Sequence, residues 1–93
     1  MIVFEIVYYG TLVPSAEIAD LPAVFHRKSV DAAKRVVDTA LKKLPALQGL
    51  QLSQWYRAEA PETWYNFPPG TTYAYLFKGV VGHSFQVYMR YPI

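Results

Sequence analysis

The chain has 93 residues, of which 53% are hydrophobic and 16% aromatic, and its nine basic and seven acidic side chains leave a formal net charge of +2. That composition excludes a disordered polymer and predicts one domain over residues 1–93. Disulfides, thiolate catalysis and cysteine-bound zinc are excluded because there is no cysteine; the lack of a long apolar run or a basic leader predicts a cytoplasmic protein with no membrane partner.

In chain order, residues 2–9 read as a strand. Ile2, Phe4, Ile6 and Tyr8 face one way; Val3, Glu5, Val7 and Tyr9 face the other. Both sides are largely apolar, which predicts an inner position in its sheet. Gly10 ends the strand, and Ser15 can cap a single helical turn running to Asp20. Residues 21–27, LPAVFHR, form a short second strand, and Pro22 suits a strand start or an edge because it has no N–H to give a ladder.

A helix is predicted over about 30–44. Ser29 is a good N-cap, Asp31 lies near the positive end of the helix dipole, and Lys42 and Lys43 lie near the negative end. Val30, Ala33, Val37, Ala40, Leu41 and Leu44 make one apolar stripe. The pairs Asp31–Arg35, Lys34–Asp38 and Asp38–Lys42 stand four apart on the other side. Pro45 disfavours helix at Leu44.

Residues 50–57 alternate again, with Leu50, Leu52, Gln54 and Tyr56 set against Gln51, Ser53, Trp55 and Arg57. A proline-stiffened loop follows over 58–71. Residues 72–91 read as a hairpin turning at Gly82-His83, where glycine supplies the positive φ of the turn. That turn fixes a register: Val80 opposite Phe85, Lys78 opposite Val87, Phe77 opposite Tyr88, Leu76 opposite Met89, Tyr75 opposite Arg90 and Ala74 opposite Tyr91. The expected fold is therefore α+β: a single antiparallel sheet of four to five strands on one main helix, in the order β-β-α-β-β-β.

One helix covers one side of such a sheet. The side bearing Leu76, Val80, Phe85, Val87 and Met89 matches the helix stripe. The reverse side then carries Tyr73, Tyr75, Phe77, Gln86, Tyr88 and Arg90, with Arg90 positioned for a cation–π contact to Tyr75. Loop 58–71, a second copy of the chain or a partner are the three covers open to it.

Catalytic chemistry finds little support. His26 and His83 have no partner at metal or triad spacing, Glu59 and Glu62 sit in the loop, and no glycine-rich phosphate loop is present. No cofactor and no metal site is expected. The sequence points to a small non-enzymatic protein-binding module acting through Trp64, Tyr65, Phe67, Tyr73, Tyr75, Tyr88 and Arg90, with a protein or a second copy (a homodimer) as partner. An accessory protein of a phage or mobile element modulating a host protein suits this size. Arg27, Lys28, Lys34, Arg35, Lys42 and Lys43 form a secondary basic surface for an acidic partner or phosphates. Two alternatives stand beside this reading: single-stranded nucleic-acid binding by the aromatic face, and a small ligand-binding protein or enzyme with a pocket between loop and sheet.

Overall fold

The computed structural model describes residues 1–57, 74–82 and 84–93. Five antiparallel strands form one sheet: β1 (Ile2–Gly10), β2 (Val24–Arg27), β3 (Tyr56–Arg57), β4 (Ala74–Gly79) and β5 (Phe85–Tyr91), in the spatial order β2-β1-β5-β4-β3. Strand β1 lies between β2 and β5, the inner place that its two apolar sides demand. The second strand forms only after Pro22 and takes an edge. A helical turn, α1 (Ser15–Ile18), and the main helix, α2 (Val30–Lys42), complete the α+β fold.

Local chemistry sets the ends of α2. The Ser29 hydroxyl accepts from the Ala32 N–H at 3.2 Å. At the other end Leu44 is extended, as a residue before proline must be, and a 3₁₀ turn begins at Pro45. The helix therefore stops slightly short of the expected residue 44. Its stripe is the expected one: Ala33, Val37 and Leu41 are buried, and Val30 and Ala40 pack beside them. They meet Phe4, Ile6, Leu76, Val80, Phe85, Val87 and Met89 from the sheet. Each large apolar side chain buried there stabilises the fold by about 1.5–3 kcal/mol.

The hairpin has the expected register, from Ala74 opposite Tyr91 to Lys78 opposite Val87. Gly82 adopts φ 78°, the left-handed conformation for which glycine was needed.

The expected strand 50–57 is interrupted. Leu52 bridges Val80, whereas Tyr56 opposes Phe77. Three residues thus stand on one side between these contacts and two on the other, which is a bulge. One extra residue inverts the alternation. Trp55 reaches the helix side and packs against the core, and Tyr56 reaches the reverse side, where its ring meets Phe77. The simple alternation assigned both to the opposite faces.

Asp38 likewise has different partners from those expected. Its Oδ1 accepts from Lys78 Nζ at 2.6 Å and from Trp55 Nε1 at 2.9 Å. Lys78 faces the core side, where an ammonium without a partner is untenable. Lys34 instead pairs weakly with Asp31 at 3.7 Å.

Candidate functional site

Register assigns the reverse side of the sheet residue by residue. One rung across the strands is Glu5, Arg90 and Tyr75. The next is Val7, Tyr88, Phe77 and Tyr56. The third is Tyr9, Gln86 and Gly79. Both helices contribute to the core on the opposite side.

Four rings run across this face in contact. Tyr9 meets Tyr88 edge-on at 5.9 Å, Tyr88 meets Phe77 at 5.3 Å, and Phe77 meets Tyr56 edge-on at 4.8 Å between centroids. Tilted and edge-to-face contacts of this kind are the favoured ones for aromatic quadrupoles. Tyr56 keeps 51% of its surface exposed and Tyr9 37%, so the row is open to solvent at both ends. Burial and the neighbouring phenol raise the Tyr9 pKa, and burial raises that of Tyr88, so both hydroxyls stay protonated near neutrality.

Among the described residues, the charges that register places on this face compensate each other. Arg90 Nη2 donates to Glu5 Oε2 at 3.1 Å, and the arginine is buried. Its register opposite Tyr75 is as expected, but its guanidinium is committed to Glu5 rather than offered to a partner. Arg57 stands opposite Leu76, on the helix side.

Two hollows flank Gln86. One, of about 200 Å³, is lined by Tyr56, Phe77, Gly79, Val81 and Gln86 and also by Ser53 and the core residues Val80 and Phe85. A Cβ at Gly79 would stand 2.9 Å from the Phe85 carbonyl oxygen and 3.2 Å from the Phe77 ring, so a larger residue fits here only if the neighbouring strand shifts. The other, of about 320 Å³, is lined by Tyr9, Gly10, Ser84 and Gln86. Gln86 itself is exposed, and its Oε1 accepts from the Tyr88 hydroxyl at 3.3 Å.

Of the residues expected at the site, Tyr75, Tyr88 and Arg90 are brought together on this face. Trp64, Tyr65, Phe67 and Tyr73, with the rest of loop 58–71 and His83, lie outside the described residues. Tyr9, Tyr56, Phe77 and Gln86 were not nominated as contacts by sequence, although alternation already placed Phe77 and Gln86 on this face. Tyr9 was legible from its alternation with Val7; Tyr56 was hidden by the bulge. Arg27, Lys28, Arg35, Lys42 and Lys43 are exposed and Lys34 half-buried. Arg27 turns back onto its own strand, donating to the His26 carbonyl at 2.6 Å and lying over the Phe25 ring.

A third concavity, about 450 Å³, lies on the helix side between α1 and α2, lined by Leu21, Pro22, Val36, Ala40 and Leu44 with Glu17 and Lys43. Among the described residues there is no group of three or more His, Asp or Glu placed to hold a metal, and no helix is long and apolar enough to cross a membrane. Comparison of the chain with protein-family models, with curated proteins and with solved structures found no match.

Proposed function

We propose that the chain is a non-enzymatic protein-binding module whose docking surface is the row Tyr9, Tyr88, Phe77 and Tyr56 with Gln86 beside it. The observation that carries this reading is the four-ring row on a sheet face opposite both helices. Tyrosine supplies a large, stiff contact area with a polar tip, which is why it recurs at interface hot spots. Action on a host protein, as an accessory factor of a phage or mobile element, is a setting that fits so small a module.

Nucleic-acid binding has less support from the same face. Stacking platforms work with cations that hold the phosphates. Here the face's arginine is already held by Glu5, and the exposed Arg35 and Lys42 of α2 lie on the other side of the sheet.

Affinity capture from cell extract tests the proposal with three baits: the wild-type chain, Tyr56→Ala/Tyr88→Ala, and Arg35→Ala/Lys42→Ala. A protein retained by the first and third baits and lost by the second is the expected result. Equal retention by all three sinks the assignment of this surface. Light scattering on the same samples identifies a second copy as the partner if the wild type dimerises and the tyrosine variant does not.

A further inference from the structure

We propose that the hollow between α1 and α2 binds a small organic cation with an apolar body, an alkyl- or arylammonium, whose charge is matched by the Glu17 carboxylate. The site lies on the helix side and is independent of the docking face, so either assignment can fail alone.

A second stripe on the main helix makes one part of the hollow. Val36, Thr39, Ala40 and Lys43 stand three and four residues apart, beside the buried stripe of Ala33, Val37 and Leu41. The rest comes from Glu17 of α1, from Asp20, Leu21 and Pro22 just after it, and from Leu44. Leu21 and Leu44 belong to the core, so the hollow has apolar packing behind it. Its volume, about 450 Å³, falls in the range of small-molecule sites.

Glu17 is the residue that points to a ligand. Its Oε2 is cut off from solvent and accepts no hydrogen bond. A carboxylate oxygen taken out of water is ordinarily held by a donor, and without one the charge is poorly solvated. Lys43 does not supply the donor: among the described residues, none of Glu17, Asp20 and Lys43 forms an ion pair with another. A carboxylate shares its charge between both oxygens. A cation in the hollow therefore relieves Glu17 through the Coulomb attraction without having to touch Oε2 itself.

Other occupants fit less well. An anion meets two carboxylates, Glu17 and Asp20, against the single ammonium of Lys43. A neutral apolar molecule covers the leucines but takes water from Glu17 and returns no donor. A hard metal ion needs a shell of oxygen ligands, and among the described residues no three acids or histidines gather to provide one. An organic cation meets both demands. Its apolar body lies on Leu21, Val36, Ala40 and Leu44, and its N–H groups give charge-assisted hydrogen bonds to a carboxylate.

The test is a ¹H–¹⁵N titration of the full chain with one apolar body carrying different heads: hexylammonium, hexanol and hexanoate. Saturable shifts centred on Glu17, Leu21, Val36 and Ala40 are expected with hexylammonium, binding about tenfold weaker with hexanol, and none with hexanoate. Glu17→Gln keeps the length of the side chain. It is expected to weaken hexylammonium about tenfold, to the level of hexanol, and to leave hexanol unchanged. The unchanged hexanol separates a lost counter-charge from a damaged hollow. Nα-acetyl-lysine methylamide is a fourth arm, because a partner's lysine carries the same ammonium on an apolar stem; weaker binding than hexylammonium supports a free amine. The proposal is overturned if hexylammonium fails to saturate up to tens of millimolar, or if hexanol or hexanoate binds equally well. It is also overturned if Glu17→Gln leaves the affinity for hexylammonium unchanged. Equal or tighter binding of the lysine amide overturns it as well, and assigns the hollow to a protein partner. The head-group series on the wild type decides the matter even if Glu17→Gln fails to fold.

Discussion

Strands β4 and β5 present two faces made from the same residues in alternation, and the two differ in kind. Toward the helix they bury Leu76, Phe85, Val87 and Met89, joined by Val80 just beyond β4. Away from it they present Tyr75, Phe77, Gln86 and Tyr88, none of which is fully buried. Both faces are rich in carbon, so hydrophobicity alone does not separate them. The hydroxyl does. The largest fully buried rings are phenylalanines, Phe4 and Phe85, whereas three of the four rings in the open row are tyrosines. A phenol tolerates contact with water on one side and a partner on the other, and a core has no use for it unless its O–H finds an acceptor. Tyr8 on the core side has that acceptor: its hydroxyl donates to the Pro22 carbonyl at 2.6 Å.

The comparison breaks most sharply with Phe85→Ala. Phe85 is fully buried beneath the helix. Its truncation is expected to destabilise the chain by about 3–5 kcal/mol, through lost burial and the cavity left behind. Urea unfolding followed by circular dichroism measures it. A loss under about 1 kcal/mol would mean that the helix-covered side is not the core.

Next in size is Asp38→Ala. The variant leaves the Lys78 ammonium and the Trp55 N–H without their shared acceptor. Full burial of such a pair would make its rupture cost about 3–5 kcal/mol; Asp38 retains 30% of its side-chain surface, so about 2 kcal/mol is expected. Replacing Lys78 by Met in the same background should restore part of the loss, because the unpaired charge is then gone. If Lys78→Met restores nothing, the pair is not what holds α2 to β4.

These two sites also show what sequence could and could not reveal. The hairpin register was legible because Gly82 fixes the turn and a turn fixes every pair behind it. The helix was legible because Ser29, the apolar stripe and Pro45 agree. Asp38 was misread because local spacing offers Lys34 and Lys42, and nothing local announces Lys78 forty residues later. The only hint was a lysine on the core side of the predicted hairpin. Tyr56 was misread because one extra residue among Ser53, Gln54 and Trp55 inverts the alternation. Such bulges carry no required residue type. Of the candidate site, the placement of Tyr75, Tyr88 and Arg90 on one side of the sheet was legible from period-two alternation, and that of Tyr56 was not.

Tyr8 sharpens the comparison through pH. Burial raises its pKa well above the ordinary value of 10. The neutral phenol is the form that the fold prefers. Its contribution is thus complete below pH 10 and declines as the pH climbs from there toward the folded pKa, by up to about 1.4 kcal/mol per pH unit. Tyr8→Phe should cost about 1 kcal/mol at pH 7, for the hydrogen bond to Pro22, and should flatten the decline above pH 10. Urea midpoints from pH 7 to 11 check both. A variant that retains the wild-type alkaline slope would show that other phenols cause it.

The smallest effect on stability is expected where the effect on binding is largest. Tyr56 lies on a two-residue edge strand, exposed over half its surface, and its ring touches Phe77 from outside the core. Tyr56→Ala should therefore change the unfolding free energy by no more than about 0.5 kcal/mol. Yet it removes one wall of the hollow beside Gly79 and ends the ring row at Phe77. If this face were an accidental overflow of core residues, stability and binding would be equally indifferent to the change. If it is a docking surface, unfolding and partner capture separate: the first stays within error and the second is lost. Should Tyr56→Ala instead cost as much as Phe85→Ala, the distinction between the two faces collapses, and the tyrosines belong to the core after all.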